Sequence, residues 1–290
     1  EDLMCRWLAY SGPPIVLDAI LFKPDNSLIQ QSLRAQRSRS TTNGDGFGVG
    51  WYADTPRPGL FRDIQPAWND ENLRNLAEQI RARMFFAHVR ASTGTPTSRA
   101  NCHPFRYGDW LFMHNGQIGE FEKIRRELVF AVRPDLFTSI KGATDSELFF
   151  YLAIGEGLEE DPPGAVARAI NIVETTRAAA GIEEPFLLTA ALTNGRTTYA
   201  VRYGSAGEAP SLFYGCNLPL TEVLDGNADD AVIEAAIEAA QSGEPEAAVL
   251  ILFEPLDDIE DNWTEVLPGH IVIAEENRAY VLPFSPADGR

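Results

Sequence analysis

The residues with the clearest chemical potential stand at the start of the chain. Met4-Cys5-Arg6-Trp7 places a cysteine directly after a methionine that can serve as initiator. Removal of that methionine leaves a thiol and an α-amine on one carbon. In an unstructured chain the amine titrates at roughly 7.7–8.0 and the thiol at about 8.5, so both change charge near neutrality. The amine can then act as base for its own nucleophile. The plain alternative is a small buried residue opening a strand. Glu1-Asp2-Leu3 read as a remnant foreign to the protein, with a short propeptide as the other reading.

Four further groups follow in order. In His88-Val89-Arg90-Ala91-Ser92-Thr93, strand alternation puts His88 and Arg90 on one face. A guanidinium at a strand end is a fork for a carboxylate; a surface arginine paired with one of the many acids competes with that reading. Asn101-Cys102-His103-Pro104 holds His103 in extended backbone. A structural histidine is the commoner outcome there, and Cys102 reads as a packed thiol. In His114-Asn115-Gly116, a turn would aim the Asn115 amide and the Gly116 N–H at one point, two donors for an oxyanion. An ordinary Asn-Gly turn fits as well. Finally, Thr144-Asp145-Ser146-Glu147 offers Asp145 as a carboxylate for an ammonium, against a plain helix cap by Asp145 or Thr144.

The elements that must position these residues can be read from pattern. Residues 4–10 form a strand that Pro13-Pro14 should break. Residues 27–39 suit a helix with basic positions 34, 37 and 39. Asn43 to Trp51 carries alternate glycines into a strand. Asn69 or Asp70 caps a helix to about residue 83. Strands are expected at 84–90 and 110–113, and helices at 121–130, 145–158 and from Pro163 to 181. The second half brings strands at 186–192 and 197–203 around Asn194-Gly195, an acidic helix at 229–240, and closing strands at 247–253, 270–274 and 279–284. Many hairpins with helices left to cover them define an α+β class.

Composition narrows the function. The chain has 290 residues, with 42 acidic against 24 basic, a net charge of −18. Phosphate binding needs clustered Lys and Arg, so a nucleic-acid partner is not expected. No apolar run reaches the ~18 residues of a membrane span. The start lacks a secretory signal. Three cysteines without C-x-x-C spacing suggest neither zinc nor paired disulfides. A reducing cytoplasm is the expectation, with no metal and no cofactor.

The ordered set Cys5, N-G-D-G-F-G-V-G-W, H-V-R-A-S-T, N-C-H-P-F, H-N-G and T-D-S-E resembles the class II glutamine amidotransferase family of N-terminal-nucleophile hydrolases. It is most similar to stand-alone members, such as the amidotransferase-like subunit of the fungal glutathione-degradation complex and ergothioneine-pathway γ-glutamyl hydrolases. The resemblance implies a four-layer α/β/β/α sandwich of two mainly antiparallel sheets, in one domain over residues 4–290. It also implies hydrolysis of a γ-glutamyl amide through a thioester on Cys5, with its α-amine as base. Asn115 and Gly116 would hold the oxyanion, Arg90 the substrate carboxylate and Asp145 its ammonium. Thr93 and His103 would line the pocket. Asn43, Asp45 and Gly46 would frame the nucleophile strand, and Arg6 and Trp7 would pack beneath the site.

A separate synthase or peptidase partner and a homo-oligomer are further expectations. The chain carries no phosphate-binding glycine loop or dinucleotide fingerprint, so plain hydrolysis is the simpler reading. Two rival classes remain: a Cys/His hydrolase using His88, His103 or His114 as base, and a binding module without activity.

Overall fold

Alternation sets the layers. In β1 (Arg6–Val16) Trp7 and Ala9 point to one side and Leu8 and Tyr10 to the other, and all four are buried. A strand apolar on both faces needs cover on both. In the computed structural model, which describes residues 5–33, 43–92, 95–218 and 248–289, that cover is a second sheet on one side and helices on the other.

The remaining strands are β2 (Phe47–Tyr52), β3 (Gly59–Asp63), β4 (Arg81–Val89), β5 (Phe105–Tyr107), β6 (Trp110–Ile118), β7 (Phe186–Thr193), β8 (Thr198–Gly204), β9 (Phe213–Leu218), β10 (Ala248–Leu252), β11 (Thr264–Glu265), β12 (His270–Glu275) and β13 (Arg278–Pro283). One sheet has the order β11-β9-β10-β1-β4-β2-β3, the other β13-β12-β8-β7-β6-β5. The paired strands run antiparallel. The six α-helices among the described residues are α1 (Asp18–Leu21), α2 (Leu28–Leu33), α3 (Glu71–Gln79), α4 (Phe121–Ala131), α5 (Asp145–Gly155) and α6 (Pro162–Ala179). None is long and apolar enough to cross a membrane.

Three apolar clusters follow from the period of two. Leu8, Tyr10, Phe85 and Ala87 meet Ile20, Leu28 and Leu73 of the first three helices. Phe112, Leu188 and Val201 meet Leu128, Phe149 and Ile170 of the last three. Between the sheets lie Trp7, Met84, Phe86, Leu111, Met113, Ala191 and Val272. The result is the expected α/β/β/α sandwich.

Several boundaries differ from the pattern reading. Pro13 and Pro14 do not end β1; they occupy a break in the ladder between Ser11 and Ile15, where no pairing N–H is required of them. The helix capped by Asp70 stops at Gln79, because β4 already starts at Arg81 to pair with Val16. β6 runs on to Ile118, so Asn115 and Gly116 lie within a strand, opposite Thr189 and Leu188 of β7, and not in a turn. Strands β3, β5, β9 and β11 were not anticipated. The acidic helix expected at 229–240 and the basic positions 34, 37 and 39 lie outside the described residues.

Phe86 is fully buried between the sheets. Phe86→Ala is expected to lower stability by about 3–5 kcal/mol, measured as a shift in the urea midpoint with little change in slope.

Candidate active site

Cys5 precedes β1 and Arg90 follows β4, and the pairing of Arg6 with Val89 brings the two ends side by side. β6 passes across them from the other sheet. The first turn of α5 closes the group. Between these elements lies a cleft of about 490 Å³, lined among others by Cys5, Arg90, His103, Asn115, Gly116 and Asp145. The cleft therefore collects every expected site residue that is described. Thr93 lies outside the described residues.

Cys5 is half-buried. Its Sγ donates to the Ala91 carbonyl and accepts from the Ala91 N–H, each at 3.4 Å. Burial pushes the thiol pKa up, and the Ala91 N–H and the charges of Arg90 and Arg6 work against that rise. Beneath the cleft, the buried Arg6 donates to Glu254 Oε2 at 3.4 Å and to Asn43 Oδ1 at 3.1 Å. The Asn115 side-chain amide donates to the Cys5 carbonyl at 2.8 Å. An amide nitrogen has two hydrogens, so this bond fixes the group and leaves the second N–H.

Gly116 has φ of +145°, and a Cβ there would lie 2.0 Å from the Leu187 carbonyl oxygen. Only glycine fits such a backbone.

Arg90 is buried and held by three hydrogen bonds, to the Asp45 carbonyl at 3.3 Å, Ser92 Oγ at 3.0 Å and Thr95 Oγ1 at 2.5 Å. Among the described residues no carboxylate forms an ion pair with it. The Asp45–Gly46 loop grips the same segment: Asp45 N–H donates to the Arg90 carbonyl, Arg90 N–H to the Gly46 carbonyl, and Ser92 N–H to Asp45 Oδ2. Asp145 accepts from Ile118 N–H at 2.9 Å and from its neighbour Ser146 N–H at 2.7 Å. The helix cap itself is Thr144, whose Oγ1 accepts from Glu147 N–H. Asp145 is thus left facing the cleft without a cationic partner among the described residues.

No histidine hydrogen-bonds to the thiol; both hydrogen-bond partners of Cys5 Sγ belong to Ala91. His88 and His103 stack with ring centroids 4.2 Å apart. Burial holds the pKa of His88 down to about 3 and that of His103 well below the usual range. His114 Nε2–H donates to the Leu187 carbonyl at 3.1 Å. That leaves Nδ1 to share the Ser146 hydroxyl proton with Asp145 Oδ1, at 2.9 and 3.2 Å. Cys102 is a packed thiol, with Sγ 3.4 Å from the Asp63 carbonyl.

Sequence reasoning missed Asn101 and Glu254. Asn101 ties the loop after Arg90 to the segment leading into α5 by donating to the Pro96 carbonyl and accepting from Ala143 N–H. Glu254 is 248 residues from Arg6, and no local spacing signals that pair.

A thiol, a fixed amide donor and two opposite charges without counter-ions among the described residues are the parts needed to open an amide bond on a zwitterionic substrate. The family model for class II glutamine amidotransferases matches residues 22–286. The probable glutamine amidotransferase DUG3 of Saccharomyces cerevisiae is 35% identical over 311 residues, covering 97% of this chain and 84% of that protein. The γ-glutamyl-hercynylcysteine sulfoxide hydrolase of Mycolicibacterium smegmatis is 33% identical over 117 residues, 40% of this chain and 52% of that one. The solved structure of a class II glutamine aminotransferase domain protein from Silicibacter pomeroyi has a TM-score of 0.68 at 34% identity and covers 97% of this chain and 100% of that one. The chain belongs to the class II glutamine amidotransferases, and it is an amide-bond hydrolase.

Gly116→Ala forces a side chain into the Leu187 carbonyl. It is expected to destabilise the fold by about 1–3 kcal/mol through backbone strain, seen as a lower melting temperature.

Proposed function

We propose that the protein hydrolyses the side-chain amide of a γ-glutamyl compound through a thioester on Cys5, with residues 4–290 acting as one domain. The observation that carries this reading is the meeting of Cys5 with Arg90 and Asp145, two charges without counter-ions among the described residues, in one cleft. A γ-glutamyl head has one carboxylate, one ammonium and an amide at its far end. The Arg90 fork takes the carboxylate, and Asp145 takes the ammonium. The Cys5 sulfur attacks the amide carbon, and the Cys5 α-amine accepts the thiol proton and delivers it to the leaving nitrogen. Asn115 Nδ2–H and Gly116 N–H hold the oxyanion. Water then cleaves the thioester and releases glutamate. His103 forms part of the pocket wall.

The absence of a hydrogen bond from any histidine to Cys5 Sγ supports the amine as base over a Cys/His pair. The hydrolase name of the mycobacterial relative favours plain hydrolysis. The amidotransferase name of the yeast relative favours a second reading, in which the released ammonia passes to a separate synthase. Glutamine and γ-glutamyl peptides share the same head, so the head-binding residues serve either.

Glutamate release from glutamine, glutathione and other γ-glutamyl peptides, with Cys5→Ala as control, tests the proposal. Release by wild type alone is expected, and equal release by the variant overturns it. A chain beginning at Cys5 is expected to turn over far faster than one retaining residues 1–4; equal rates would remove the amine from its role as base. Asn115→Ala is expected to lower kcat by about 10²-fold or more with KM nearly unchanged. A loss appearing mainly in KM argues against the oxyanion role.

A further inference from the structure

A second cleft of about 480 Å³ opens where the edges of the two sheets meet. β3 is the last strand of one sheet and β5 the last of the other. Arg62 projects from β3 and Arg106 from β5, Arg57 stands in the loop before β3, and Lys141 lies just before α5. Four cationic side chains thus line one cleft of a chain whose net charge is −18. Among the described residues the single carboxylate lining it is Glu147. That carboxylate already accepts from the backbone N–H groups of Lys141 and Gly142, at 3.0 and 2.6 Å.

The cations are held by backbone carbonyls, and Glu147 attracts Arg62 and Lys141 without forming an ion pair with them. Arg62 Nη1 donates to the Cys102 carbonyl at 2.9 Å, and Arg106 Nη1 donates to the Pro58 carbonyl at 3.0 Å. Lys141 Nζ donates to the Thr138 carbonyl at 2.7 Å. Among the described residues none of the four makes an ion pair. A guanidinium has five N–H donors, so each of Arg62 and Arg106 is pinned at one donor and presents the rest. Two half-buried forks anchored to backbone lose less freedom on binding an anion than free surface side chains do. Burial pushes the pKa of both guanidinium groups down, and Arg57 adds repulsion on Arg106. An anion placed between them adds an attraction that offsets both effects on the charged form. Tyr151, whose hydroxyl donates to the Ser139 carbonyl at 3.0 Å, supplies a wall of the cleft.

We propose that this cleft binds a small polyanion, phosphorylated or polycarboxylate, at a site separate from the one that holds Cys5. The bound anion accepts from the free donors of Arg62 and Arg106, with Arg57 and Lys141 at its rim. The proposal stands apart from the identity of the hydrolysed amide.

The test is isothermal titration of the full chain with sodium pyrophosphate and, separately, with trisodium citrate. Saturable binding of at least one anion is expected, one per chain, weakening as sodium chloride is added. Pyrophosphate alone would identify phosphate chemistry, citrate alone polycarboxylate chemistry, and both a general polyanion site. R106Q is expected to weaken binding about tenfold or more, R57Q/R106Q further, while R90Q leaves it intact. Arg57 is exposed, so R57E, which leaves the packed residues untouched, is the second variant and is also expected to weaken binding. The proposal is overturned if neither anion binds saturably, if binding is unchanged in folded R57E and R57Q/R106Q, or if R90Q alone abolishes it.

Discussion

Everything at the active cleft depends on how closely two β-sheets can approach. Cys5 leads directly into a strand of one sheet and Asn115 lies in the other, yet their bond is 2.8 Å long. The approach is made possible by removing side chains from one face. A Cβ on Gly48 would lie 2.1 Å from the His103 carbonyl oxygen, and one on Gly50 would lie 2.7 Å from Leu111 Cδ1. The alternate glycines of β2 are therefore the contact surface for the 103–111 segment. Apolar packing between the sheets then fixes the spacing, since a close-packed interior resists changes of even one methylene.

Given that spacing, the charges fall into place at low cost. Arg90 is buried, and its hydrogen bonds to Asp45, Ser92 and Thr95 offset part of the loss of water. Asp145 sits in the first turn of α5, where a carboxylate is favoured by the helix dipole and by exposed N–H groups. Neither charge has a counter-ion among the described residues. Such groups ordinarily pair within a fold, so a cleft that leaves both open is set up for a ligand that brings the opposite pair.

Much of this was legible before the fold was known. The order of motifs marked Cys5, Arg90, Asn115, Gly116 and Asp145, and all of them meet. The α+β class followed from the hairpins and the helices left to cover them, and the four layers from the family resemblance. What failed was local punctuation. Asn-Gly reads as a turn wherever it stands, but pairing of β6 with β7 through Ile118 overrides that signal. Two prolines read as a stop, but a ladder break absorbs them. Long-range polar links were not legible: Arg6 with Glu254, or Asn101 with Ala143, depend on which distant segments the sandwich brings together. At the start of α5 the sequence left the cap open between Thr144 and Asp145, and Thr144 makes it.

The first turn of α5 has one acidic side chain on each side. Asp145 faces the cleft of Cys5, and Glu147, two residues on, faces the arginine-lined cleft. Residues two apart on a helix point in roughly opposite directions, so one short rigid segment forms a partition wall shared by two chambers. By thermodynamic linkage, any coupling between ligands placed on the two sides of this turn would have to be reciprocal.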